Sequence, residues 1–308
     1  MMRSCLSLLL LCGVLSVQAQ EEFDWWNETH QWDGVTNWWR YLKPSPYFLG
    51  PNALPVPSLL RGEFEQEARL SLGAEGHFSD GDDTQDLMTG LHVPLAGGRV
   101  AFQLDWMALE HYTMDTVTRD ERAARDRDGT GNSTGDVYVA TLLQLVKENV
   151  DHGGVLLRIR LKTASGNNLE GARHSETPGY SFDLSWGRWL EGSSGWLKRW
   201  RPHAMAGFLV YQTNRDDYFQ NDCLLFGVGV LGDHGKIRSE LGVAGYLGYL
   251  DLRDRPIVLR AALTTHRPGK LEHRLGVQAP VQDWRYLSVA YTLRVYLGGP
   301  LWSGRDIR

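Results

Sequence analysis

The chain has 308 residues, with 32 Lys and Arg against 37 Asp and Glu and a formal net charge of −5. Basic and acidic residues are mixed along its length, which excludes the concentrated positive field that nucleic acid requires. Three cysteines, two of them within the first twelve residues, exclude a disulfide framework.

At the start, Arg3 precedes an apolar run from Leu6 to Leu11, and Val17-Gln18-Ala19 suits signal peptidase. Residues 1–19 therefore read as a cleaved signal peptide. The run is far shorter than the roughly 20 apolar residues of a spanning helix, and Leu11 before Cys12 is too bulky for a lipid-modified signal. Loss of Arg3 moves the balance from −5 to about −6.

Residues 20–61 hold Trp25, Trp26, Trp32, Trp38 and Trp39, followed by five prolines from Pro44 to Pro57. Proline lacks the N–H that a strand ladder needs, so this stretch does not read as a strand. The expectation is an N-terminal periplasmic cap or plug segment. A plug in a barrel lumen, a docking segment, an aromatic sugar-binding surface and a cap on a barrel mouth all fit its composition.

From residue 62 to residue 298 the dominant signal is alternation at period two. About twelve runs are expected, near 64–79, 84–95, 99–110, 135–147, 154–164, 179–190, 200–213, 222–232, 236–250, 256–266, 270–281 and 285–298. In the fifth, Val155, Leu157, Ile159 and Leu161 share one face while Arg158, Arg160 and Lys162 share the other. The sixth sets Tyr180, Phe182, Leu184 and Trp186 against Ser181, Asp183 and Ser185. The connections alternate between short (96–98, 147–153, 232–235, 267–270) and long, above all 111–134 and 165–178. Long strands joined in that rhythm are the pattern of an all-β, antiparallel, up-and-down transmembrane β-barrel, with tight periplasmic turns and long outer loops. Residues 299–308 form a C-terminal tail.

A soluble sandwich would show the same alternation, and strand length argues against it: soluble strands run about five or six residues, whereas a bilayer crossing takes about 9–11. Trp186, Trp189, Trp196 and Trp200 bracket one short turn and read as an aromatic girdle at the lipid headgroups. In the lumen, Arg158, Arg160 and Lys162 are expected to face Asp136 on the strand before and Asp183 on the strand after. Such pairs line a conducting path or cross-link it shut.

The mixed-charge stretch with Arg119, Asp120, Glu121, Arg122, Arg125, Asp126, Arg127 and Asp128 reads as a solvated outer loop. Its end, from Asp126 to Asn132, loosely resembles a calcium loop but lacks the full spacing and the closing acid. No metal site and no cofactor is expected. Cys223 opens the apolar run 224–228 and reads as buried and inert.

The segment Lys162-Thr163-Ala164-Ser165-Gly166-Asn167-Asn168, its continuation to Pro178-Gly179-Tyr180, and 48–57 resemble uncharacterised, porin- or transporter-like outer-membrane β-barrel proteins of Gram-negative, Bacteroidota-type bacteria. The resemblance implies fold and outer-membrane location, and no activity. The ending Arg305-Asp306-Ile307-Arg308 departs from the terminal aromatic of proteobacterial barrels.

The sequence thus points to a non-enzymatic channel for small polar or ionic solutes, with outer-membrane lipid and the barrel-assembly machinery as partners and no nucleic acid. Two alternatives remain open. One is a lipid-acting hydrolase built on His174-Ser175-Glu176, which strand geometry disfavours because adjacent residues point to opposite faces. The other is a secreted β-sandwich that binds carbohydrate.

Overall fold

A computed structural model describes residues 22–192, 195–217, 219–249, 253–265 and 269–298. The segments expected to be a signal peptide and a C-terminal tail, 1–19 and 299–308, lie outside the described residues.

Twelve long antiparallel strands form one closed sheet: β1 Ala68–Ser79, β2 Asp82–Leu95, β3 Val100–Met114, β4 Val137–Val146, β5 Gly154–Lys162, β6 Gly179–Gly187, β7 Arg199–Gln212, β8 Gln220–Asp233, β9 Ile237–Gly248, β10 Ile257–Thr265, β11 Leu271–Gln282 and β12 Leu287–Gly298. Each pairs with its chain neighbour, and β1 pairs with β12 from Phe78↔Leu287 to Ala68↔Gly298, which closes the ring. Lengths run from 9 residues in β5 to 15 in β3, enough to cross a bilayer. A short strand, Thr130–Ser133, folds back on the end of β3, and Leu190–Glu191 on the start of β7.

Burial along the strands is inverted relative to a soluble sheet. In β6, Gly179, Ser181, Asp183, Ser185 and Gly187 are buried while Tyr180, Phe182, Leu184 and Trp186 are exposed. Phe182 is 45% exposed and Leu184 49%, against 1% for Arg158 and 1% for Asp183. The large apolar side chains form the outer wall and the charges turn inward, so the sheet is a barrel and not a sandwich. Cys223 is buried.

The ring has two unlike ends. One carries the connections 96–99, 147–153, 188–198, 234–236 and 266–270; the other carries 115–136 and 163–178. In 115–136, helix α2 (Thr116–Glu121) is started by Asp115, whose carboxylate accepts from the Thr118 amide at 2.7 Å. That capping bond holds the Asp115 carboxyl below its usual range.

Residues 42–66 run inside the barrel as an irregular inner segment. Their hydrogen-bond partners lie on β2, β4, β5, β6, β9 and β10, strands distributed all round the ring. The main buried apolar cluster is therefore in the lumen: Leu42, Leu49, Leu54 and Val56 of this segment pack against wall residues such as Tyr112, Leu225, Tyr246 and Val258. Each such aliphatic side chain, fully buried, contributes on the order of 1.5–3 kcal/mol.

Leu184 sits near the middle of the hydrocarbon-facing row of β6. Leu184→Arg should lower unfolding free energy in bilayers by about 2–4 kcal/mol, as expected for a charge at mid-membrane depth. Urea titration of the barrel in lipid vesicles measures this; a change under about 0.5 kcal/mol, the size of an ordinary surface substitution, would contradict the outward assignment of that face.

Candidate functional site

An extended strand inside a closed barrel has no ladder to join, so its backbone groups must find side chains. The five prolines remove five N–H donors, and the carbonyls are met by donors from the wall. Tyr246 donates to the Leu54 carbonyl at 3.0 Å. Arg260 donates to the carbonyls of Val56 at 2.6 Å and Pro57 at 2.8 Å. Arg158 donates to the Ser58 carbonyl at 3.1 Å and its hydroxyl at 2.9 Å. Arg201 donates to the Arg61 carbonyl at 2.8 Å, and the Gln144 amide to that of Gly62 at 2.7 Å. The lumen arginines are thus a ladder of donors for one backbone.

At the short-turn end the segment crosses the wall closely. Gly62 has φ +79°, and a Cβ there would lie 2.5 Å from the Gly154 carbonyl oxygen and 2.5 Å from the Gly187 nitrogen. A Cβ on Gly187 would in turn meet the Arg61 carbonyl at 2.2 Å. Three glycines from three elements make this crossing. Here Arg61 pairs with Glu240 at 2.7 Å, and Phe64 packs on Ala101, Leu142 and Leu156.

At the other end two connections fold inward over the segment. Arg122 from 115–136 and Arg173 from 163–178 both reach Asp82 at 2.7 Å, and Arg173 also reaches Glu110 at 2.6 Å. Tyr286 donates to Asp82 at 2.6 Å, and Asn52 of the segment donates to Asp86 at 2.7 Å and Glu110 at 2.8 Å. All four ion-pair partners are buried. The expectation of a solvated run is therefore corrected at Arg122, which is 0% exposed: two carboxylates turned into the lumen by β2 and β3 demand cations, and the connections supply them. Arg125 and Arg119 are also engaged, stacking on Phe23 at 3.6 Å and Trp25 at 4.1 Å.

Residues 22–41 complete this end. They include helix α1 (Asp24–Thr29) and a 3-10 turn, Trp38–Tyr41. Trp26 is fully buried and donates to the Ala123 carbonyl at 3.0 Å; Arg40 pairs with Asp216 at 2.8 Å. Residues 22–41 thus lie against the long connections. The reason is the inner segment, which carries the chain through the lumen before β1 begins.

Of the lumen cluster expected from sequence, Arg158 and Asp183 meet at 2.8 Å and Lys162 and Asp136 at 2.6 Å. Arg160 joins neither pair; its guanidinium lies over the Tyr138 ring at 3.9 Å. Trp186, Trp189, Trp196 and Trp200 lie around the 188–198 connection, with Trp186 44% and Trp196 69% exposed. Trp196 stacks on His234 at 4.5 Å, and Arg199 lies over Trp189 at 4.3 Å.

The His174-Ser175-Glu176 set does not assemble: no hydrogen bond joins His174 to Ser175 among the described residues. The Ser175 hydroxyl instead accepts from Lys162 at 3.1 Å and Thr177 at 2.9 Å. A relay invisible in the sequence does form, with His77 2.7 Å from Ser288 and 2.8 Å from Asp86 on adjacent strands. Those residue types in that order can activate a serine. Ser288 is 1% exposed and Asp86 is shared with Asn52. The relay orders the wall around Asn52.

No family model and no curated protein matches this chain. Among solved structures it is similar to an outer-membrane channel from Pseudomonas putida F1, at 12% identity over 83% of this chain and 100% of that one, TM-score 0.52. It also aligns with the KdgM porin (11% identity, 73% and 98% covered, TM-score 0.42) and the NanC porin (11%, 73% and 98%, TM-score 0.44). The first likeness shows the fold, that of an outer-membrane β-barrel.

The glycine crossing and the double-arginine clamp generate two expectations. Gly62→Val, which adds both a Cβ and strain at positive φ, should release the inner segment while the wall stays paired. Limited proteolysis then cuts within 42–61 at least tenfold faster than in the parent, with the heat-modifiable gel shift retained. Arg173→Ala leaves Glu110 without its arginine and should cost about 3–5 kcal/mol in unfolding free energy, read from denaturant titration.

Proposed function

We propose that this chain is an outer-membrane channel for small polar or ionic solutes, held shut by its own N-terminal segment. In this reading the signal peptide exports it, the barrel-assembly machinery inserts it, and lipid contacts the apolar outer wall. The short turns face the periplasm and the long connections face outward. Residues 22–41 then lie on the cell exterior, reached through the lumen.

One observation carries the reading. The lumen is lined with charge and filled by a stretch held through side-chain donors, with no strand pairing to the wall. A wall that needed only to be sealed could be filled by its own apolar side chains, as narrow barrels are. Here the filler is a separate piece of chain with its own anchors. The role is non-enzymatic: the inward carboxylates Asp82, Glu110, Asp136 and Asp183 are paired with cations, and Arg158 and Arg260 also bind that segment.

In planar bilayers the parent should be silent or open rarely, and deletion of residues 42–61 should give discrete steps. Reversing Arg158 and Arg160 together to Glu in the deleted form should shift the reversal potential in a salt gradient toward cation selectivity. Silence of the deleted, correctly folded barrel would remove the channel reading. A second measurement tests the topology: an epitope inserted after residue 21 should bind antibody on intact cells, whereas the same epitope at 149–151 should bind only after permeabilisation.

A further inference from the structure

The inner segment does not fill the ring evenly. From Leu54 to Arg61 its backbone is held by Arg158 of β5, Arg201 of β7, Tyr246 of β9 and Arg260 of β10. Inward glycines show how closely it packs on that side. A Cβ on Gly227 or Gly229 of β8, or on Gly242 of β9, would lie 2.6, 2.9 and 2.9 Å from the Leu59 side chain. Leu59 thus occupies a groove left by three absent side chains.

The facing wall is different. A Cβ on Gly73 of β1 would have wall atoms of Thr292, Tyr291 and Met88 as its nearest neighbours, at 3.5, 3.5 and 3.7 Å. One on Gly276 of β11 would meet two atoms, the Ala261 carbonyl oxygen and an Arg274 nitrogen, both at 3.9 Å. The inward row leading into β1 is partly exposed at every position from Glu67 to Glu75, that of β12 from Arg294 to Ala290, and that of β11 from Arg274 to Gln278. These rows alternate with the outer-wall residues Leu72, Tyr291 and Leu275, so their exposure is to the interior. Water therefore enters the ring along this side. The exposure ends at one level, where His77, Asp86 and Ser288 are buried and joined to one another. The same Asp86 accepts from Asn52 of the inner segment.

We propose that the closed protein is a one-ended vestibule: water and small polar solutes enter from the short-turn end along β11, β12 and β1, and the His77–Asp86–Ser288 layer is the gate that stops them. The walls of this lane suit polar solutes because they present the hydroxyls of Ser71 and Thr292, the amide of Gln278 and charges already compensated in pairs, Arg294 with Glu272 at 2.7 Å and Arg274 with Glu240 at 3.2 Å. Because Asp86 belongs to the gate and also holds Asn52, loosening the segment at that point loosens the gate. The proposal deepens the channel reading by giving the solute path and its closure. It rests on that reading for passage across the membrane, and the lane with its blind end stands without it.

Cysteine accessibility in the folded full-length barrel in detergent tests this, with the hydrophilic reagent sulfonatoethyl methanethiosulfonate. The native Cys223 is fully buried and supplies the background rate. Thr292→Cys and Ser71→Cys should label at least about tenfold faster than Ala244→Cys, whose position is buried in the cluster that the segment completes and is reached only through local opening. Ser288→Cys should be as slow as Ala244→Cys. Adding Asn52→Ala should raise the Ser288→Cys rate several-fold and leave that of Thr292→Cys unchanged, every variant being compared after it shows the heat-modifiable shift. Labelling of Thr292→Cys and Ser71→Cys at the Ala244→Cys rate would overturn the lane. Labelling of Ser288→Cys as fast as Thr292→Cys, or a Ser288→Cys rate unmoved by Asn52→Ala, would overturn the gate. Lane labelling with a silent deleted barrel in bilayers would keep the vestibule and remove the channel. Discrete steps without lane labelling would do the reverse.

Discussion

A sheet that turns its apolar face outward has to satisfy every inward polar group from within the ring, because bulk water is reached only at the ends. That constraint organises the molecule. Inside the ring, Arg158, Lys162, Arg173, Arg61 and Arg294 each meet a carboxylate within 2.8 Å. Such pairs are needed because breaking a buried pair is far more costly than the pair is stabilising. The inner segment answers the same constraint from the other side. Its prolines remove donors that would have no acceptor, and its carbonyls consume donors that the arginine-rich wall has in excess. Neither the wall nor the segment is fully satisfied without the other.

The two ends of the segment are held by different physics. Near β1 the hold is steric: Gly62 lies against backbone of β5 and β6, where no side chain fits. At the far end it is electrostatic, with Asn52 bound by Asp86 and by Glu110, which Arg173 neutralises. Beyond that point the contacts thin out into exposed pairs such as Arg40 with Asp216, 36% and 59% exposed, which contribute about 0–1 kcal/mol each.

The sequence made the strands legible because alternation is a local signal: one residue's face fixes that of its neighbours. The twelve runs, the outward row through Phe182 and Leu184 and the inward row through Arg158 follow from it directly. Register across one strand pair extends this to Arg158 with Asp183 and Lys162 with Asp136. Beyond one neighbour the legibility ends. Arg260 binds a carbonyl 204 positions away, and nothing local distinguishes it from a surface arginine. Arg122 looks solvated because its neighbours are charged, and only a closed ring shows that Asp82 and Tyr286 await it. The prolines of 44–57 were readable as the absence of a strand, but the place where the segment lies is set by wall donors and acceptors distributed round the ring. The glycine crossing had no periodic or compositional trace; three separated glycines acquire meaning only from a backbone passing between them.

The seam of the ring adds a constraint on how the lumen can open. It joins β12 to β1, the strand that follows the inner segment directly. Sideways expulsion of the segment would require opening that eleven-position ladder from Ala68 to Phe78, exposing unpaired backbone to hydrocarbon at several kcal/mol per group. Withdrawal along the barrel axis breaks side-chain bonds, each of about 0.5–3 kcal/mol, and the backbone bond from Gly50 to the Ala172 carbonyl, and the exposed pairs of residues 22–41 are the weakest. The segment is covalently tied at the glycine crossing, so movement must start from residues 22–41 and proceed through the Asn52 clamp toward Gly62. The clamp is the highest step on that path, since freeing Asn52 disturbs the carboxylates Asp86 and Glu110 that Arg173 and His77 also use. Whatever opens the lumen has to act first on the outermost contacts and then on this buried cluster, and the wall strands need not separate at any stage.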